Sequence, residues 1–347
     1  MIQGEKSAVP ATELLDDGDV MFRLADADRL YSRVRLDAGL GTAGERPELS
    51  WDDGVWSVQV ALPPLHRVEY GFEVTRTIAD PSQPLTIESG FGLRSALELP
   101  GYQPPAWVGR TAPTGTTESL TIDVDGVTAS LWSPAELSDG APAPLLLVHD
   151  GPDYADRGAL TPYLAVLAED GTPGPVRALL LRAEPRERLY AADEAYADAV
   201  VGEVLPAARL RVATTEVLAL GASLGALAAL HLEWQHPGTL AGMVLQSGSF
   251  FTPETDPQER GFPRWHEVTA FVDAVHAEPR AADLPPIAIT CGTHEENAAN
   301  NLLLALRMRE VGVDVTHHEI ADLHNFTSWR DCLDPALRDL LVAVGRS

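Results

Sequence analysis

The stretch Val217-Leu218-Ala219-Leu220-Gly221-Ala222-Ser223-Leu224-Gly225-Ala226-Leu227 decides how the chain is read. It is a G-x-S-x-G set between an apolar, strand-like run and a run of helical character. A serine on a sharp strand-to-helix turn sits at strained φ/ψ, and strand and helix pass so closely that the flanking positions must be small. Gly221 and Gly225 supply that clearance. The turn lifts the Ser223 hydroxyl above the sheet edge. It also puts the Leu224 amide at a helix N-terminus, where it can donate to a developing oxyanion. Ser223 is therefore the candidate nucleophile.

The same strand signature recurs on either side of this stretch. Leu145–Val148, Val176–Leu181, Thr215–Leu220, Ala241–Leu245 and Ile287–Thr290 are short, nearly continuous apolar runs, as strands buried on both faces require. Helical patterns lie between them, including Ala192–Leu205 and Ala226–His236, the latter stopped by Pro237-Gly238. Strands alternating with helices predict a mainly parallel sheet.

The first hundred residues differ. Val20–Leu24, Arg29–Leu36, Val55–Ala61 and Val68–Val74 read as strands separated by Asp/Gly/Pro clusters, with alternation in the last. This spacing predicts a small antiparallel β-sandwich. Phe22, Tyr31, Trp51, Trp56, Tyr70 and Phe72 are read mainly as its core rather than as a sugar-binding platform. Leu99–Pro105 and Thr111–Thr117, rich in Pro, Gly and Thr, punctuate the chain, so the boundary falls near 105–115, giving domains of residues 1–105 and 106–347.

A serine hydrolase built on such an elbow needs its acid and then its base further along the chain. The run Ile287–Thr290 ends in Cys291-Gly292-Thr293-His294-Glu295-Glu296, which places a carboxylate just past a buried strand. Glu295 is the expected acid and Glu296 the alternative. Val315–Ile320 reads as a last strand followed by Ala321-Asp322-Leu323-His324-Asn325, so His324 is the expected base. His317 and His318 fall inside that strand, His231 and His236 on the helix after the elbow, and His149 at a strand end. The second oxyanion donor belongs in the loop His149-Asp150-Gly151-Pro152-Asp153-Tyr154. Gly151 allows close approach and Pro152 has no N–H, which leaves the amide of Asp153 or Tyr154.

Composition narrows the partners. The chain has 347 residues, 51 acidic against 25 basic side chains, and a formal charge of −26. That charge argues against nucleic acid or an anionic membrane as partner. Lys6 is the single lysine, so nearly every fixed cation is an arginine. Two cysteines without a Cys/His cluster suggest neither a disulfide framework nor zinc. The N-terminal segment lacks the pattern of a secretory signal, and no apolar stretch is long enough to span a bilayer, so a cytoplasmic location is expected.

These motifs, in this order, resemble the enterochelin (enterobactin) esterase, Fes-like branch of the α/β-hydrolases, related to the esterase D group. Asp150-Gly151-Pro152-Asp153-Tyr154 is similar to its D-G-x-x-W/Y oxyanion loop, and Glu203-Val204-Leu205-Pro206 to its E-L-L-P helix end. Gly221–Gly225 is similar to its elbow, Gln246-Ser247-Gly248-Ser249-Phe250 to its S-Q-S-G-S-[FYW] strand end, and Gly292–Glu295 to its G-x-x-E turn. His324 with Trp329-Arg330 and Leu333 resembles its H-x(4)-W-R-x-x-L run. Asp80-Pro81-Ser82-Gln83-Pro84 matches the D-P-x-x-P stretch that ends the branch's Ig-like domain.

The resemblance implies an α/β-hydrolase fold, with helices on both faces of the sheet, preceded by an Ig-like β-sandwich. It implies a serine carboxylic-ester hydrolase with the triad Ser223, His324 and Glu295, and no cofactor or metal. The implied substrate is the small-molecule ester of a catecholate siderophore, carried as a ferric complex, whose hydrolysis releases iron. The runner-up is another acyl ester: feruloyl, acetyl, an antibiotic ester or a polyester. An anionic ferric catecholate calls for pocket arginines, for which Arg186, Arg188, Arg157 and Arg330 are the candidates, with Trp329 beside them. Two departures bear on substrate: Leu189 stands where the branch has glutamate, and Ala226 where the elbow has a second glycine.

Overall fold

The computed structural model describes residues 12–16, 18–27, 29–38, 46–62, 68, 70–76, 78–89, 92–278 and 284–345. Lys6 and Glu69, part of the expected strand Val68–Val74, lie outside them. The chain forms two compact units, Met1–Tyr102 and Gln103–Ser347.

The first unit is antiparallel β. Thr12–Leu14, Val20–Ala25, Val55–Val60 and Ser50–Asp52 form one sheet in that order, and Arg33–Asp37 pairs with Gly71–Thr75 in another. Phe22, Val34, Leu36, Leu49 and Trp56 form the core between the two, with Tyr31, Trp51 and Phe72 packed against it. Tyr70 is more exposed, edge-on to Phe22 at 4.9 Å. The expected strand Arg29–Leu36 starts late because the buried Asp26 carboxylate accepts from the Leu30 and Tyr31 amides (2.7 and 3.1 Å) and from Trp56 Nε1 (2.9 Å). That turn consumes residues 29–32 before the strand begins at Arg33.

The second unit is a single sheet of eight strands. Its order is Val315–Ile320, Ile287–Gly292, Gly242–Gln246, Thr214–Ala222, Ala143–Val148, Arg177–Ala183, Val127–Ser133 and Thr116–Leu120. The first six are parallel, and the last two are antiparallel additions at one edge. Side chains alternate across a strand, so burial on both faces demands apolar residues at successive positions. Leu145 and Leu147 join the core on one face with helices Leu224–Gln235, Trp265–Ala277 and Ala298–Glu310, whereas Leu146 and Val148 join the other with Leu160–Asp170 and Leu333–Val344. This is the α/β-hydrolase fold preceded by a small β-sandwich.

The helix expected over Ala192–Leu205 is longer and interrupted. Asp193 caps Glu194–Ala199, a wide π turn follows over Val200–Val204, and Leu205–Arg211 carries Pro206 in its first turn. The wide turn accommodates a proline that has no N–H to continue the α ladder. No helix among the described residues is long and apolar enough to cross a membrane.

Candidate active site

The central strand Thr214–Ala222 ends at Ser223, whose φ of 56° and ψ of −124° lie outside the relaxed regions. The strain is held by hydrogen bonds from both sides. The Ser223 amide donates to the Gln246 carbonyl (3.0 Å), and the Ser223 carbonyl accepts from Ala226 (3.1 Å) and Ser249 (3.1 Å). Gly221 is required here: a Cβ on it would lie 2.3 Å from the Gly225 carbonyl oxygen. Helix Leu224–Gln235 starts directly on Ser223, so the Leu224 amide is in its first turn and has no backbone acceptor among the described residues.

Glu295 follows strand Ile287–Gly292 and turns back into the protein. Its Oε1 accepts from the Gly292 amide (3.0 Å) and the Cys291 thiol (2.6 Å), and its Oε2 bonds His324 Nδ1 at 3.0 Å. Burial pushes the carboxyl up, but hydrogen bonds from His324, Cys291 and Ser247 outweigh it and hold the group below the usual carboxylate range. Burial also pushes the Cys291 thiol up, with Glu295 adding to it, so the thiol remains a neutral donor. Glu296 lies farther, at 3.8 Å, and is half exposed.

His324 sits just before Asn325, which caps helix Phe326–Asp331 by accepting from the Ser328 amide (2.9 Å). The imidazole packs edge-on against Trp329 (5.0 Å, 84°). Trp329 is buried and anchored, its Nε1 donating to Ser247 Oγ at 2.9 Å, so it backs the histidine rather than offering a substrate face. The Thr293 amide donates to the Ile320 carbonyl (2.7 Å), tying the turn that bears the carboxylate to the end of the strand that leads to His324. Among the described residues no hydrogen bond joins Ser223 to His324; the serine hydroxyl bonds Ser249 Oγ at 3.1 Å. Catalytic hydrogen bonds are often loose before substrate binds.

The loop after Val148 forms a short helix, Gly151–Asp156, opened by Asp150 in the left-handed region. Gly151 packs against strand Arg177–Ala183 so closely that a Cβ would meet Leu180 Cα at 2.4 Å. Of the two expected donors, the Tyr154 amide is engaged by the Asp150 carbonyl (3.0 Å), and the Tyr154 ring is buried with its hydroxyl on Gln246 Oε1 (2.7 Å). Closing the first helical turn removes Tyr154 as a donor. The Asp153 amide has no backbone acceptor among the described residues.

The arginines expected to face substrate all have carboxylate partners. Arg186 bonds Asp150 through both oxygens (2.8–3.0 Å) and leans over the Tyr190 ring. Arg157 pairs with Asp153, Arg188 with Asp193 at 3.5 Å, and Arg330 with Asp331 at 2.7 Å.

Several residues escaped reading from single positions. Gln246 bonds Tyr154, Thr290 and the Trp329 carbonyl, and so links the short helix Gly151–Asp156 to the helix Phe326–Asp331 that follows His324. Ser249, Ser247 and Cys291 also touch the site. For the first three the signal was the Q-S-G-S motif. Cys291, an isolated cysteine in a buried strand, gave none.

Residues 125–340 match the family named Esterase, described as "Putative esterase". No curated protein matches the chain. Among solved structures it is similar to an enterochelin esterase from Shigella flexneri (TM-score 0.65, 20% identity, 96% of this chain and 95% of that one). It is also similar to a ferric enterobactin esterase from Salmonella typhimurium (0.62, 19%, 96% and 96%) and to a ferulic acid esterase (0.56, 17%, 67% and 98%). At these identities the likeness shows the fold, and the family match covers well over half of the chain: the chain belongs to the Esterase family.

Proposed function

We propose that this esterase is a serine carboxylic-ester hydrolase in which Ser223 is the nucleophile, His324 the general base and Glu295 the group that orients and stabilises the imidazolium. The observation that carries the reading is the Glu295–His324 hydrogen bond (3.0 Å) at the same, C-terminal, end of the parallel sheet as a serine held at strained φ/ψ on an elbow. His324 takes the Ser223 proton as Oγ attacks the ester carbonyl, and returns it to the departing alcohol. The amides of Leu224 and Asp153 hold the oxyanion. Water then attacks the acyl-enzyme by the same route, releasing the acid and restoring Ser223.

For the substrate, we infer the ester backbone of a catecholate siderophore. The support is a likeness of fold to enterobactin esterases that extends over both units, 96% of the chain. One observation favours a second reading, an uncharged acyl ester: Arg186, Arg157, Arg188 and Arg330 are each paired with a carboxylate. The deciding experiment is a hydrolysis panel of iron-loaded and iron-free triscatecholate trilactones against feruloyl, acetyl and simple aryl esters. Preference for the trilactones by kcat/KM supports the siderophore reading. Preference for a neutral ester supports the second.

A further inference from the structure

The Ser223 hydroxyl has one hydrogen-bond partner among the described residues, Ser249 Oγ at 3.1 Å. Ser249 is only 2% exposed, and its amide donates to the Ser223 carbonyl (3.1 Å), so it grips the nucleophile by backbone and side chain together.

Its own position is fixed by unusual means. Gly248 is held on both polar groups by Asn301, which accepts from the Gly248 amide (2.9 Å) and donates to the Gly248 carbonyl (2.8 Å). Asn297 donates to the Ser247 carbonyl (3.0 Å), and Asn300 bonds Asn297, Asn301 and Asp256. All three asparagines are buried. Burying amides is costly unless each is satisfied. Here the satisfied network fixes the backbone on either side of Gly248, and therefore the direction of the next hydroxyl.

We propose that Ser249 is a further catalytic residue, donating a hydrogen bond to Ser223 Oγ throughout turnover. This rests on Ser223 being the nucleophile. With Ser249 as donor, the proton of Ser223 is free to point to His324. As His324 removes it, charge grows on Oγ and the bond from Ser249 strengthens, because a charged acceptor binds a donor more tightly than a neutral one. In the acyl-enzyme Oγ is an ester oxygen and a poorer acceptor. When water adds and the acyl–Oγ bond breaks, charge returns to Oγ, Ser249 again donates, and His324 gives Oγ its proton. The interaction is stronger in both transition states than in the states that flank them, so it raises kcat rather than lowering KM.

The test compares wild type, Ser249→Ala, Ser249→Thr and Ser223→Ala. The readouts are the rate constant of labelling by a fluorophosphonate probe and kcat and KM with p-nitrophenyl butyrate, both per titrated active site. Ser249→Ala is expected to slow labelling and kcat by about 10- to 100-fold at unchanged KM and unchanged titratable fraction. Ser249→Thr keeps the hydroxyl and should recover to within a few fold of wild type. If threonine does not fit, Ser249→Cys, a weaker donor, should fall between. Per-site rates of Ser249→Ala within twofold of wild type overturn the proposal, as does a loss confined to the titratable fraction. If wild type takes no label on Ser223, the hydrolase reading itself fails, which is a distinguishable result.

Discussion

Arg186 grips Asp150 through both carboxylate oxygens and, with the same Nη2, reaches the Ala222 carbonyl at 3.4 Å. Asp150 opens the short helix that contains Asp153, and Ala222 precedes Ser223. One guanidinium thus spans the two segments proposed to build the oxyanion site. Arg186→Ala should lower kcat by about 100-fold, the scale of losing one oxyanion donor, with a smaller change in KM. It should also cost about 2 kcal/mol of stability by leaving Asp150 unpaired. Arg186→Lys keeps the charge without the planar fork and should recover only part of the rate. A change confined to KM would instead mark Arg186 as a substrate contact.

The two adjacent glutamates are predicted to behave differently. Glu295→Gln should reduce kcat by about 10³- to 10⁴-fold, since the amide disturbs the imidazole tautomer and cannot stabilise its charged form. Glu296→Gln, half exposed and 3.8 Å away, should change kcat less than about threefold. Steady-state kinetics on the two variants decides which carboxylate orients His324.

Acid should destabilise the fold as the pH falls below neutrality. Burial lowers His149 and His231 from 6.5 to about 4. Between those values the unfolded chain binds protons that the native chain refuses, so stability falls as pH drops from about 6.5 to about 4, by about 3 kcal/mol for each histidine. Burial raises Glu233 to about 6, which has the opposite sign: the native chain takes up its proton first and recovers about 2 kcal/mol over the same window. Both ring nitrogens of His149 are buried without a hydrogen-bond partner among the described residues. His149→Phe should therefore flatten the fall of the melting temperature between pH 7 and 4. An unchanged slope would contradict this assignment.

The elbow glycines should be unequal. At Gly221 a Cβ would strike the Gly225 backbone at 2.3–2.4 Å, where nothing can move without parting strand from helix. At Gly225 the nearest neighbour is His149 Cβ at 3.0 Å. Gly221→Ala should abolish soluble folded protein or cost more than about 4 kcal/mol, against about 1–2 for Gly225→Ala. Thermal unfolding of the two variants gives the comparison.

The parallel sheet was legible because both of its faces are buried. Residues such as Leu145–Val148 must all be apolar, and no other element writes that signal so compactly. The edge strand Thr116–Leu120 is mostly exposed and carries Thr-Thr-Glu-Ser-Leu, which reads as loop. It is a strand because Val127–Ser133 pairs with it. Ser223, His324 and Glu295 could be proposed from the sequence because each follows a strand signal. The partners of the arginines could not, since charge along a chain says nothing of which carboxylate folds against it: Arg186 meets Asp150 across 36 residues. The engagement of the Tyr154 amide depends on a short helix that six residues with a proline do not announce.

If the Ser223 hydroxyl does the chemistry, site-mapped labelling will find it. Wild type and Ser223→Ala are treated with a fluorophosphonate probe, the adduct is located by peptide mass spectrometry, and residual hydrolysis of an aryl ester is measured alongside. One adduct is expected, on Ser223, with activity lost in proportion to labelling, and neither adduct nor turnover in the variant. Wild-type turnover by Ser223→Ala, or an adduct on another serine that accounts for the inactivation, would contradict it.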